Sequence, residues 1–454
     1  MLSVFRIKGM RGFLSSPAGA TSIGVTCAAV LVLPAAPTAA AAPRAERPAA
    51  AVGPAGAAVP GSTQSLPLAP LDQERTPGTT PAQGLYRADV RHFSLVGVIW
   101  DDPDAALRGT VQVRTRSAAS GKWSGWQDVE THNEDHGADP ASAERASGRV
   151  RGATAPLWVG DSKGVDVRVR ADSVPDRAAA GRGRGGDPRS SLPSGLRLEL
   201  VDPGGGTGTQ GPQADAPRTL PALNRRDTER ELDRLRADGD LDPADDGAPR
   251  AKPYIGPRPG IVTRRGWGAD ESLRARGFVY TKKIKAAFVH HTSTGNGYSC
   301  AQAPSVIRGV YRYHVKSMGW RDIGYNFLVD KCGTIYEGRA GGVTKAVLGA
   351  HTLGFNSNSM GVAVIGSYSS RKPSSAAVKA VAKLTAWKLG LYGVNPRGKT
   401  YLTSGGGNLY PKGKSVRLNV ISGHRDGFAT DCPGKRLYAK LGSARSSAAK
   451  YQGR

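Results

Sequence analysis

The chain has 454 residues, of which 60 are Gly and 31 Pro, and a formal net charge of +26. It is too long for one hydrophobic core and too rich in Gly and Pro for uninterrupted packing, so two folded domains joined by linkers are expected. The charge is uneven: residues 255–454 hold 32 Lys and Arg against 7 Asp and Glu, and residues 1–254 hold 31 against 30. The basic side chains are scattered and accompany no nucleic-acid motif, so specific nucleic-acid binding is not expected.

Arg6, Lys8 and Arg11 precede an apolar run over 19–33, then Pro34, Pro37 and the alanines 39–42, the order of a secretory signal with a small-residue cleavage site. The run is shorter than the ~20 residues a spanning helix needs. Residues 1–42 are therefore read as a signal peptide that carries Cys27 away with it. The mature protein is expected to be secreted, extracellular or cell-wall associated, and monomeric. The polyanions available to its basic half are then cell-wall phosphate polymers and membrane surfaces, of which the anionic wall polymers are the expected partner.

Residues 43–84 are Ala, Pro and Gly with few aromatics, and read as a disordered linker. Over 85–203 short alternating runs at 93–100, 109–115, 123–129, 157–159, 165–169 and 196–201 predict antiparallel strands, a β-rich module of sandwich type. Trp123 and Trp126 are assigned to its core rather than to a sugar-stacking platform. Residues 204–258 read as a second linker with one helix-compatible stretch at 228–237. From 259 to 445 the pattern mixes strands and helices: strand 284–290, helix 303–317, hairpin 326–338, strand 360–365, helix 375–391 and strand 416–421. That alternation predicts an α/β domain.

The α/β region carries the chemistry. Ala286-Ala-Phe-Val-His-His-Thr-Ser293 puts His290 at the end of an apolar strand, and Asn419-Val-Ile-Ser-Gly-His424 puts a second histidine just past another. Cys432 follows eight residues later. Two imidazoles and a thiolate suit zinc, with a fourth position open for a water whose pKa falls to ~7. If Cys300 and Cys332 form a disulfide, Cys432 is left without a partner, and metal ligation explains a thiol in an oxidising compartment. His291 is expected on the opposite face of its strand, in a structural role, and His314 is expected to pack within its helix.

Seven motifs now stand in one order: Arg264-Arg-Gly-Trp-Gly-Ala-Asp270, Val289-His-His-Thr292, Gly319-Trp-Arg-Asp-Ile-Gly-Tyr-Asn-Phe-Leu328, Gly333-Thr-Ile-Tyr-Glu-Gly-Arg339, Gly349-Ala-His-Thr352, Asn356-Ser-Asn-Ser-Met-Gly-Val-Ala-Val-Ile-Gly366, and Gly423-His-Arg-Asp426 with Thr430-Asp-Cys-Pro-Gly434. Together they resemble the peptidoglycan recognition protein and zinc N-acetylmuramoyl-L-alanine amidase family. The β-rich region resembles the accessory module of secreted amidases from high-GC Gram-positive bacteria. The resemblance implies a central mixed sheet flanked by helices, zinc on His290, His424 and Cys432, and peptidoglycan as substrate. It implies a catalytic hydroxyl on Tyr325 that donates to the developing oxyanion. Thr430 stands at the catalytic position two before the cysteine ligand, where some members carry lysine. His351, Thr352 and Asn356 match the groove wall and are assigned to substrate. Where the family often has tryptophan, this chain reads Arg339-Ala-Gly-Gly342. The alternative is a module that binds peptidoglycan without cutting it, a type that typically lacks the cysteine ligand.

Overall fold

The computed structural model describes residues 60–71, 82–172, 192–205, 217–241 and 253–454. The signal segment 1–42 and residues 181–191 of the Gly/Arg/Ser loop lie outside the described residues.

The β-rich module is one sheet folded over its own core. Strand Leu157–Ala171 spans both halves: its first part pairs with Phe93–Trp100 and its second with Ala82–Arg87 and Gly109–Ser117, all antiparallel. Alternation along each strand turns Phe93, Val96, Val98, Val111, Val113, Val165, Val167, Val169, Leu198 and Leu200 into a shared core. The two stretches expected at 157–159 and 165–169 are thus a single strand, which runs on through a register shift: Trp158 pairs with Leu95 and Ser162 with Phe93.

Two linker expectations are corrected. Ser62–Pro67, inside the predicted linker 43–84, pairs along its whole length with Arg197–Asp202. In the second linker, Asn224 caps helix Arg225–Ala237 by accepting the Asp227 N–H, and Thr219–Leu220 pairs with Ile261–Val262. Composition hid the strands, since short edge strands need only a partner's backbone, whereas the helix falls on the helix-compatible stretch expected at 228–237. Trp123 and Trp126 are not in the core either. Trp123 is 38% exposed, and the guanidinium of Arg114 lies 5.2 Å from each ring, with Arg168 at 4.2 Å from Trp126.

The α/β domain is built on a seven-stranded mixed sheet in the order Thr219–Leu220, Ile261–Val262, Ile335–Glu337, Phe327–Val329, Ser359–Val364, Ala286–His291, Ile421–Gly423. The last three strands run parallel. Helix Ser375–Leu391 is Ala-rich and starts where the Ser374 hydroxyl accepts the Ala377 N–H. With helix Leu441–Gln452 it covers one face of the sheet, burying Trp387, Leu384, Val289 and Val362. Helix Ala303–Arg312, continued by a π turn over Tyr313–Ser317, covers the other. The strand expected at 416–421 breaks at Val420: Ser415–Asn419 pairs with Lys399–Thr403 in a separate hairpin, and Ile421–Gly423 joins the main sheet. Cys300 and Cys332 form a disulfide with Cα atoms 6.2 Å apart, and Cys432 is free and buried. Among the described residues no helix is long and apolar enough to cross a membrane.

Module and domain belong to one compact unit, Gly56–Arg454. The outer face of the module's sheet, Leu95, Ile99, Trp158 and Val201, packs on Val306, Ile307, Val310 and Tyr313 in one apolar cluster. Gly97 makes this approach possible, because a Cβ there would lie 2.3 Å from the Tyr313 hydroxyl. That hydroxyl donates to Thr154 O at 3.1 Å, and the Ser317 hydroxyl donates to Glu199 at 2.7 Å.

Candidate metal centre

His290 is the penultimate residue of strand Ala286–His291, pinned on both sides by parallel neighbours. Side chains alternate, so His290 turns to the face of Phe288 and His291 to the other. There the His291 Nδ1 accepts the Tyr368 N–H at 3.2 Å, the structural role expected for it. His314 also packs as expected, accepting the Gly324 N–H at 3.2 Å against the Trp320 ring. His424 opens a 3-10 turn directly after strand Ile421–Gly423, where the Asp426 carboxylate accepts the Gly423 N–H. Cys432 arrives on a loop held by its own N–H donating to the Thr430 hydroxyl at 3.1 Å.

These three side chains meet. The Nδ1 atoms of His290 and His424 are 3.1 Å apart, and the Cys432 Sγ lies 3.8 Å from the His290 Nδ1. In a tetrahedral zinc site with ordinary bond lengths, ligand nitrogens are about 3.3 Å apart and nitrogen and sulfur about 3.6 Å. The donor chemistry agrees. Burial, then the neighbouring imidazoles His424 and His351, push His290 well below its usual value, and burial takes His424 to about 3. Both rings are therefore neutral with a lone pair to give. Burial, with Asp135 adding to it, drives the Cys432 thiol well above its usual value, so a cation is what would make it a thiolate here. The residues fit a metal ion.

Tyr325 precedes strand Phe327–Val329, with its ring 5.5 Å from that of His290. Burial, then Cys432 and Asp135, raise its pKa well above the ordinary value, so it remains a hydroxyl donor. His351, Thr352 and Asn356 depart from the expected substrate wall: all three are buried. The His290 Nε2 lies 3.3 Å from both the His351 Nδ1 and the Thr352 hydroxyl, which fixes the ring orientation. The Asn356 Oδ1 accepts the N–H groups of His351 and Thr352, and its Nδ2 donates to Gly137 O and Asp139. The reason is tertiary: the N-terminal module covers this wall.

The site also holds two residues that sequence reasoning missed. His136 comes from the module's 130–151 segment and lies with His290, His424 and Cys432, one donor atom from each being within 4.8 Å of all the others. Its Nε2 is 3.9 Å from the Cys432 Sγ, and its Nδ1 is 2.7 Å from the Asp135 carboxylate. Burial favours the neutral acid at Asp135, but His136, His424 and a hydrogen bond with Thr430 outweigh it and hold the carboxyl well below the carboxylate range. The run Thr131-His-Asn-Glu-Asp-His136 is the sequence signal that could have drawn notice. A cleft of about 500 Å³ opens beside the cluster, between Glu130, Asp135 and His136 on one side and Thr292, Arg425 and Cys432 on the other.

Fold and donor set define an α/β domain, with a buried His and Cys cluster that could hold a metal ion, joined to a β-rich module. The comparisons name its kin. Residues 280–435 match the family model described as N-acetylmuramoyl-L-alanine amidase, and residues 41–190 match one described as Rv3811 N-terminal galactose-binding domain-like. Peptidoglycan-recognition protein SC1a of Drosophila melanogaster is 30% identical over 185 residues, 40% of this chain and 83% of that protein. The N-acetylmuramoyl-L-alanine amidase of Homo sapiens is 33% identical over 189 residues, 40% of this chain and 28% of the human protein. Among solved structures, Drosophila PGRP-LB is similar at 26% identity, covering 40% of this chain and 92% of that one, with a TM-score of 0.32. The chain belongs to the peptidoglycan-recognition protein and N-acetylmuramoyl-L-alanine amidase family.

Proposed function

We propose that this chain is an exported, zinc-dependent amidase that cleaves the bond between N-acetylmuramic acid and L-alanine in peptidoglycan. The observation that carries this reading is the convergence of His290, His424 and Cys432 beside the buried Tyr325 hydroxyl. His290, His424 and Cys432 hold the metal, and His351 and Thr352 keep the His290 ring aimed at it. Zinc, when bound, supplies Lewis acidity that activates water and polarises an amide carbonyl. Tyr325 donates its proton toward the carbonyl oxygen as charge develops there. Thr430 orders the cysteine loop through the Cys432 N–H, a positioning role in place of the catalytic one expected. The cleft beside Arg425 receives the stem peptide. The excess of basic residues over 255–454 draws the protein to anionic wall polymers.

The test is mass spectrometry of purified peptidoglycan after digestion by the zinc-loaded protein, wild type and His136→Ala. Free stem peptides from at least one of them, abolished by a chelator and by His290→Ala, are expected. Muropeptides left intact by both proteins while still retained on them would replace this reading with a binding module.

A further inference from the structure

A metal that performs hydrolysis needs an open coordination position, and structural zinc sites are closed by four protein ligands. Here a fourth donor side chain reaches the cluster from the N-terminal module. The His136 ring centroid lies 4.6 Å from that of His424 and 5.4 Å from that of His290. The Asp135 carboxylate accepts the His136 Nδ1–H at 2.7 Å, which fixes the tautomer and leaves the Nε2 lone pair free on the side facing Cys432. The Asp135 and His136 side chains are 3% and 8% exposed, so the ring is not swinging in solvent.

The backbone that delivers His136 is held just as firmly. Gly137 follows at φ 153°, a conformation that glycine adopts readily and that turns the chain away after the imidazole. Leu353 N donates to Asp135 O, Asn356 Nδ2 donates to Gly137 O, and Gly354 N donates to Asp139. Further along, Glu144 accepts two hydrogen bonds from Arg339. The contacts on both sides of His136 therefore come from the α/β domain.

We propose that His136 is a fourth protein ligand to the metal held by His290, His424 and Cys432, so that the full-length chain folds with its hydrolytic position closed. Turnover then requires the 130–144 segment to withdraw. This rests on the amidase reading for the meaning of closure, whereas the ligation itself does not.

The direct test uses the full-length wild-type protein loaded with zinc. X-ray absorption at the zinc edge should count three imidazoles and one sulfur; two imidazoles, one sulfur and a light oxygen donor would overturn the proposal. A second measurement replaces zinc by cobalt and compares wild type with His136→Ala. The variant should shift the visible cobalt bands and bind zinc at least about ten-fold more weakly. Superimposable spectra and equal affinity would overturn it. If closure holds, His136→Ala should also release stem peptides about ten-fold faster or more, as expected when a competent state populated at ~10% or less becomes dominant. Slower release by the variant would overturn the closure. Three imidazoles in a protein whose His136→Ala form cleaves nothing would sustain the ligation and remove the amidase reading instead.

Discussion

Arg339 of the α/β domain closes a two-pronged ion pair on Glu144 of the N-terminal module, at 2.8 and 3.0 Å, with both side chains almost fully buried. Arg339 also donates to Ile323 O, two residues before Tyr325, so one guanidinium ties the module's segment to the strand entrance that carries the Tyr325 hydroxyl. Paired buried charges of this kind are costly to break from one side, because the partner left behind keeps no counter-charge.

Burial alone would raise the Glu144 pKa; Arg339 outweighs it and holds the group below its ordinary 4.5. A carboxylate depressed in the folded state adds stability above its unfolded pKa and loses it as pH falls through the folded value. Wild-type stability should therefore decline on acidification below about pH 4.5. Glu144→Gln should be less stable at neutral pH by about 3 kcal/mol and lose less on acidification. Thermal melts of both proteins from pH 3 to 7, ~1 unit apart, would check this, and parallel curves would dismiss the pair as a contributor.

The metal ligands predict a stoichiometry. The protein should bind about one zinc at this cluster, and His290→Ala, His424→Ala and Cys432→Ala should each lose metal and activity together. Atomic absorption after dialysis measures it. Full zinc occupancy in Cys432→Ala would take that sulfur out of the site.

In the proposed reaction Tyr325 acts on the reacting carbonyl and not on the metal. Tyr325→Phe should retain zinc while turnover falls roughly 10²- to 10³-fold, the usual loss for one oxyanion donor. Comparing the pair in the His136→Ala background keeps the measurement in the open state. Equal rates there would make the hydroxyl a bystander.

The Cys300–Cys332 disulfide spans 32 residues and ties the start of helix Ala303–Arg312 to the hairpin after Tyr325. Replacing both by Ala should cost about 3 to 4 kcal/mol through the unfolded chain's regained freedom. Urea denaturation reads the loss, and metal content should not change. An unmoved midpoint would show that packing alone holds this segment.

Gly97→Ala probes the seam between module and domain. Its Cβ would meet the Tyr313 hydroxyl at 2.3 Å, and overpacking of that kind costs about 1 to 3 kcal/mol. The Tyr313 Cζ and Cε2 would lie 2.5 and 2.7 Å from the same Cβ, so Tyr313→Phe, which keeps both, should not recover the loss. Recovery by Tyr313→Phe would place the strain on the hydroxyl alone, and an unchanged stability of Gly97→Ala would show that the seam has room to shift.

Local pattern determined a good deal by itself. The apolar run ending at His290, the Ala-rich stretch over Ser375–Leu391 and the alternating strands around Phe93 and Leu198 each state their element within ten to twenty residues, because side-chain periodicity is a property of the chain's own geometry. The donor types of His290, His424 and Cys432 were legible for the same reason: thiol and imidazole chemistry does not wait for the fold. Partnerships across long separations were not legible. Ser62–Pro67 is a strand only because Arg197–Asp202 lies beside it, and Asn356 holds a buried loop instead of facing the groove only because Gly137 and Asp139 arrive there. His136 stands 296 residues before Cys432, in a different module, and no spacing rule reaches that far. Packing of the module's outer face on Val306, Val310 and Tyr313 sets its approach to the domain, and that approach carries a third imidazole, the fourth candidate donor, to the cluster of His290, His424 and Cys432.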